Sequence, residues 1–318
     1  MNILVTGGAG YIGSLTSHEL IKLGHDVVIV DNLSKGLKSL IPDESIFYEI
    51  DLIDKEKLEE VFKKINLDLV IHFAAYKDIR ESDIMVNKYS NNITGTINLL
   101  DCMQRYRVPK IIFSSSAGVY GYPKQTPINE NHETKPINFY GYTKLVCEQL
   151  IQWYSKAYTI NYVILRYFNV IGNSYLKYVD PKPSNIIPII LEVLNGKREK
   201  LEIFGRNHPT QDGTCVRDYI DINDLVDAHI KSIDYDRNNI FNLGTRNGIS
   251  LFELIELIEN LTGYDLPYEV VEARKGDPSI LTAEFLFAKK ELGWEPTTSL
   301  SLSLKKVFAA ESPPSNMI

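Results

Sequence analysis

Asn2-Ile-Leu-Val-Thr6, then Gly7-Gly-Ala-Gly10-Tyr-Ile-Gly13, then Val27-Val-Ile-Val30 closing on Asp31: how these residues are read decides the fold. A short β-type run enters a glycine-rich turn, and Leu15, Leu20, Ile21 and Leu23 continue at helical spacing to a stop at Gly24. A second apolar run ends on an acid. Strand, glycine turn, helix, strand and acid make up the βαβ dinucleotide fingerprint. Gly7 permits a tight turn, Gly10 lets a pyrophosphate approach the backbone, and Gly13 lets the helix pack close to the strand. Tyr11 and Ile12 open that helix, whose amides face the phosphates. Asp31 can accept from both ribose hydroxyls of NAD, and its charge repels a 2′-phosphate; the plainer alternative is a turn cap. Asn32 follows it and is a further candidate cofactor contact.

Outward from this unit the alternation repeats. Ser45 to Ile50 reads as strand and ends at Asp51-Leu52, where an adenine would sit. Lys55 to Lys64 is an amphipathic helix, Leu67 to Phe73 a buried strand, and Ala74-Ala75 are small residues past which a cofactor can run. Lys88 to Arg105 reads as one long helix, Lys110 to Ser116 as a strand, and Asn161 to Tyr167 as a sixth strand ending in Phe168-Asn169. Repeated βα units with buried strands predict an α/β fold, a doubly wound parallel Rossmann sheet. Gly7, Asp31, Ala74, Ser116 and Asn169 all fall at carboxyl ends of strands, where such sheets bind ligands. Beyond residue 170, Pro181, Pro183 and Pro188 break the pattern. The expected division is a dinucleotide domain over 1–169 and a smaller C-terminal α/β substrate lobe over 170–318. Asn239 to Leu243 and a helix from Ser250, near 239–262, are expected to return to the parent sheet.

The second informative stretch is Lys110 to Tyr158. Three hydroxyls end its strand, and Tyr140-Gly-Tyr-Thr-Lys144 opens a helical pattern carried by Leu145, Leu150, Ile151 and Tyr154. Tyr140 and Lys144, four apart, stack on one helix face. An ammonium beside a phenol favours the phenolate, and a tyrosine tuned that way can accept a proton from a hydroxyl near neutral pH. The spacing also fits an ordinary exposed helix face, and Tyr106, Tyr120 and Tyr178 likewise have lysine at the fourth position. Those three matches contain Pro109, Pro123 and Pro181, which argue against a helix interior. Only Tyr140 also has a hydroxyl-rich strand end upstream.

Composition excludes several classes. The chain has 318 residues, 44% hydrophobic and 24% charged, as in ordinary globular proteins. A net charge of −7 argues against a nucleic-acid partner, which wants a basic face. Cys102, Cys147 and Cys215 lie far apart, with neither disulfide nor metal spacing; they read as packing residues in a reducing compartment. Six scattered histidines give no metal site. No run nears the roughly 20 apolar residues of a membrane helix, and the chain enters its first strand without a signal peptide, so a cytoplasmic location is expected. The tail from Glu311 to Ile318 has linker-like composition and is expected to fray.

The chain resembles the extended short-chain dehydrogenase/reductase superfamily, and within it the UDP-glucose 4-epimerase family. The likeness runs from Val5–Gly13 to Gly293-Trp-Glu-Pro296, through Val70–Ala75, Asn91–Gly95, Ser114–Ala117 and Leu165–Asn169. Ile203-Phe-Gly205 together with Pro209–Tyr219 resembles nucleotide-sugar epimerases in particular. The resemblance implies Tyr140 as the base on the sugar 4-hydroxyl, Ser116 as its hydrogen-bonding partner, and Lys144 on the phenol and the nicotinamide ribose. It implies further NAD contacts at Phe73, Lys77, Asn92, Ser114 and Tyr167. For the UDP-sugar it implies Phe168, Asn169, Asn185, Phe204, Arg217, Arg274 and Asp277, with guanidinium forks suited to a diphosphate.

The implied activity is NAD-dependent epimerisation at C4 of a UDP-hexose through a transient 4-keto sugar, with NAD tightly bound and recycled. A homodimer through the helices near 88–105 and 141–157 is implied likewise. Related dehydratases carry a glutamate in the strand-end motif, and Ser116-Ala-Gly-Val119 has none. Leu281 falls where the family sets sugar-pocket size, so UDP-N-acetylhexosamines or other nucleotide sugars remain alternatives. A nucleotide-sugar reductase and a non-catalytic dinucleotide sensor are more distant rivals.

Overall fold

The computed structural model describes residues 1–176, 178, 183–274 and 276–310. The expectations placed on Pro181 and on the tail from Glu311 lie outside them. The first half runs β1 (Asn2–Thr6), α1 (Tyr11–Lys22), β2 (Asp26–Asp31), β3 (Ile46–Glu49), α2 (Lys55–Lys64) and β4 (Leu69–His72). It continues through α3 (Ile79–Ile84), α4 (Val86–Tyr89), α5 (Asn91–Arg105), β5 (Lys110–Ser116), α6 (Phe139–Tyr158) and β6 (Asn161–Tyr167). The second half comprises β7 (Asn169–Ile171), α7 (Ile186–Leu194), β8 (Leu201–Phe204), β9 (Val216–Asp221), α8 (Ile222–Lys231) and β10 (Asn239–Leu243). After it come β11 (Gly248–Ser250), α9 (Leu251–Thr262), β12 (Tyr268–Val271), β13 (Ile280–Leu281), α10 (Leu286–Leu292) and α11 (Leu300–Ala310).

The main sheet has seven strands in the order β10-β6-β5-β4-β1-β2-β3, paired in parallel throughout. Strand alternation divides its apolar residues between two cores. Leu4, Val28, Val70, Ile111 and Phe113 face one core with α2, α5 and α6. Ile3, Val5, Ile29, Ile71 and Ile112 face the other with α1, α8 and α10. A sheet covered on both faces leaves only its ends open, and ligands must therefore enter over the strand termini.

Two expectations change here. The stretch Lys88–Arg105 is interrupted: Ser90 separates α4 from α5, and its hydroxyl donates to the Val86 carbonyl. The strand near 239 does return to the sheet, beside β6, but the helix that follows does not. Leu254, Ile255 and Ile258 of α9 pack into a third core with α7, β8 and α11. What returns to the sheet instead is α8, through Leu225 and Ala228, and α10, through Ala288, with Trp294 beside it. The lobe after residue 170 thus sends two helices and one strand back across the expected boundary. Its own sheets are short: β9 carries β11, β13 and β7, and β8 pairs with β12.

Candidate active site

Over the strand ends lies a cavity of about 620 Å³, reaching from the first glycine turn to the short strands of the lobe. At one end, Gly7 takes φ +74°, and a Cβ on Gly13 would sit 2.2 Å from the Gly7 carbonyl oxygen. The third glycine is needed for helix α1 to pack this close. No side chain caps α1 and no acid stands in its first turn, so the amides of Tyr11, Ile12 and Gly13 face the cavity with the helix dipole behind them. Asp31 is locked by accepting from the amides of Ala9 (3.1 Å) and Leu33 (2.8 Å), while its carboxylate borders the cavity. Burial pushes its pKa up and these two amides pull it down. Asn32 holds Asp51 at 2.8 Å, and Leu52, Phe73, Ala74, Ala75 and Lys77 line the same channel. A glycine-floored anion cradle followed by a buried acid fits a dinucleotide with a free ribose 2′-hydroxyl.

The middle wall is β5 and α6. Asn138 caps α6 by accepting from Gly141, and Asp83 and Ser82 of α3 accept from the amides of Phe139 and Tyr140. The helix therefore begins just ahead of Tyr140 and aims its first turn at the cavity. Two of the rival tyrosines lie elsewhere, Tyr106 at the end of α5 and Tyr120 after the one-turn helix Ala117–Val119, whereas the third, Tyr178, borders the cavity. Tyr140 is 8% exposed and Lys144 3%. Both line the cavity beside Ser116, whose hydroxyl accepts from the Gly118 amide at 3.1 Å. Residues 114 and 116 share a strand face, whereas Ser115 points to the opposite side and donates to Glu148. Glu148 in turn forms a buried ion pair with Arg166 at 2.6 Å, fastening α6 to β6.

The expected tuning of the phenol is not what this wall does by itself. Lys144 Nζ donates to the Ser114 carbonyl at 2.7 Å and lies 4.8 Å above the Phe113 ring. Burial pushes the Tyr140 phenol up to about 12, and hydrogen bonding with Ser116 is what pulls it down. Burial also lowers Lys144, to about 8, with Cys147 and Glu148 opposing. Desolvation outweighs the helical juxtaposition because both groups lie deep in the wall.

Ser114 is the one expected contact that does not line the cavity. It is fully buried, with its hydroxyl on His229 Nε2 at 3.0 Å, below the cavity floor. Asn92 lines the cavity, yet its amide is engaged by Tyr76 N (2.8 Å), Tyr76 O (3.0 Å) and Thr143 Oγ1 (3.2 Å), pinning the loop after β4 to α6. Tyr167 also borders the cavity, with its phenol raised by burial.

At the far end stand Phe168, Asn169, Asn185, Phe204, Arg217, Arg274 and Asp277. Asn169 donates to the Asp218 carbonyl at 3.2 Å, and Arg217 pairs with Asp277. The Arg274 guanidinium lies 3.4 Å from the Phe204 ring centroid. Leu281 does not line the cavity; it packs in the cluster of Ala117, Tyr120 and Phe168, one layer behind. Cys215, read as a packing residue, borders the cavity instead. Arg80, Lys35 and Ser184 also line it and were not singled out in the sequence. They sit on loops or element ends, where neither periodicity nor a motif marks them. Among the described residues no His, Cys, Asp or Glu cluster could hold a metal.

Residues 3–244 match the family described as NAD dependent epimerase/dehydratase. UDP-glucose 4-epimerase from Halalkalibacterium halodurans is 43% identical over 304 residues, 93% of this chain and 91% of that protein. A UDP-glucose 4-epimerase from Brucella ovis, solved in complex with NAD, superposes with a TM-score of 0.92 at 38% identity, covering 96% of each chain. The one from Bifidobacterium longum, solved with NAD+ and UDP, gives a TM-score of 0.91 at 37% identity over 97% of this chain and 98% of that one. On the match of most of its length, the chain belongs to the NAD dependent epimerase/dehydratase family, alongside the UDP-glucose 4-epimerases.

Proposed function

We propose that this chain is an isomerase that inverts C4 of a UDP-hexose, interconverting UDP-glucose and UDP-galactose with a resident NAD. The observation that carries this reading is the wall of Ser116, Tyr140 and Lys144 standing between a dinucleotide cradle and an arginine-bearing lobe in one cavity. When bound, NAD supplies a hydride acceptor and donor in one, so that a 4-keto sugar formed at one ring face can be reduced at the other. The chain supplies the rest. Tyr140 takes the 4-hydroxyl proton and returns it, and Ser116 orients that hydroxyl. Lys144 holds a positive charge in the wall, which favours the phenolate once the cavity is filled and water is excluded. Arg217 and Arg274 grip the diphosphate, anchoring the substrate by its UDP end and leaving the hexose free to turn over.

The dinucleotide unit we assign is 1–169 with α8, β10 and α10, and the rest of 170–318 is the UDP-sugar lobe. The exposed Tyr142, Trp153 and Tyr158 on α6 support homodimerisation through this helix and α5, to be checked by light scattering. Free Cys102, Cys147 and Cys215 support a reducing, cytoplasmic location, to be checked by fractionation. No described helix is long and apolar enough to cross a membrane.

The direct test is to release and identify the dinucleotide by denaturing the purified protein. The native protein is then supplied with UDP-galactose in deuterated buffer without reductant. UDP-glucose should form with hydrogen retained at C4; deuterium there would sink the proposal. UDP-GalNAc and UDP-GlcNAc in the same assay define the sugar preference.

A further inference from the structure

Arg80 is a cation at the cavity with no role in the scheme above. Arg80 stands in the first turn of α3, on the dinucleotide half, and borders the same cavity as Arg217 and Arg274 of the lobe. Its backbone is fixed, because Asp78 accepts from the amides of Arg80 (2.9 Å) and Glu81 (3.1 Å). The adjoining carboxylate is also committed: Glu81 pairs with Lys88 at 2.8 Å and accepts from Tyr89 at 3.0 Å. Among the described residues Arg80 forms no ion pair, whereas Arg217 has Asp277 and Arg198 has Glu192.

From this geometry we propose that Arg80 is a third guanidinium for the diphosphate of the nucleotide sugar, closing on it from the half opposite Arg217 and Arg274. The assignment rests on the UDP-sugar reading above. Arg80 lies close enough to Arg274 that its charge, after burial, is the next influence pushing the Arg274 pKa down, while Asp277 and Glu202 oppose it. Two cations that repel across a cavity gain from an anion between them, and a diphosphate has oxygens enough for forks from both sides. Since Arg80 and Arg274 come from different halves, the anion would draw the halves together, which neither arginine of the lobe does alone.

The test compares wild type with Arg80→Gln and Arg80→Lys, by calorimetric titration of UDP and of uridine into the NAD-bound protein. For an exposed charge-assisted contact, Arg80→Gln should weaken UDP about five- to tenfold and leave uridine unchanged. Arg80→Lys should recover part of the loss, since a lysine keeps the charge without the fork. UDP affinity should also fall less steeply with added salt in Arg80→Gln than in wild type. Unchanged UDP affinity, equal loss for UDP and uridine, or loss of bound NAD along with UDP would overturn the proposal. Each is read on binding alone, so a wild type that binds UDP without epimerising UDP-galactose would refute the catalytic reading and leave this one standing.

Discussion

The two ends of the cavity hold anions by different means. At the dinucleotide end the contacts are backbone: the Gly7 turn, the uncapped amides of α1, and an Asp31 itself held by two amides. At the lobe end they are long side chains, Arg217 of the short strand β9 on Asp277, and Arg274 of the loop after β12 over Phe204. Backbone groups are ordered on folding and lose little on binding, whereas an arginine must surrender rotamer freedom each time it engages. The contrast suits a cofactor that stays and a substrate that exchanges. Tyr140 lines the cavity between these ends, which is the placement the proposed function needs.

The contrast can be broken in four places. Tyr140→Phe removes the proton acceptor from the shared wall, and kcat should fall by about 10³-fold with NAD content unchanged; a rate equal to wild type in a direct assay would exclude the phenol as base. Gly13→Ala places a methyl 2.2 Å from the Gly7 carbonyl, so the turn must deform. The expected result is a stability loss on the order of 3 kcal/mol and purification without NAD, read by thermal melts and by dinucleotide release.

The third concerns the NAD-free protein. Lys144 has its pKa depressed in the folded state to about 8 from an ordinary 10.5, so folding expels a proton between these limits. Stability should therefore rise as pH climbs from about 8 toward 10.5, by on the order of 3 kcal/mol across the window. Above pH 10 the raised Tyr140 phenol acts in the opposite sense, because the unfolded chain then ionises first. Subtracting the same curve for Lys144→Met isolates the lysine; identical curves would mean that its ammonium is not desolvated. Smallest is Arg217→Gln, on the exchanging side. The KM for UDP-galactose should rise about tenfold with NAD content intact, and NAD loss in this variant would erase the division between the two ends.

Much of this was readable in one dimension. The glycine spacing with its flanking apolar runs specified β1, α1 and β2, because turn geometry, helix period and a buried strand are local properties. Proline exclusion separated Tyr140 and Lys144 from the look-alike pairs at Tyr106 and Tyr120 for the same reason. The sheet-return strand Asn239–Leu243 was visible as an apolar run, but its neighbour α9 was misplaced. A helix's apolar stripe shows that one face is buried, not against which element.

What the sequence determined by itself was the series of βα units and the glycine cradle, and it was enough to nominate the side chains proposed to react. Only the tertiary structure decided that Ser114 lies beneath the cavity floor on His229, that Asn92 is absorbed in holding the loop after β4, and that Arg80 borders the same cavity as the arginines of the other half. It also decided the electrostatics of the wall. Four residues of helix bring a lysine onto the same face as a tyrosine, but whether charge or desolvation governs the phenol depends on how deeply distant segments bury both.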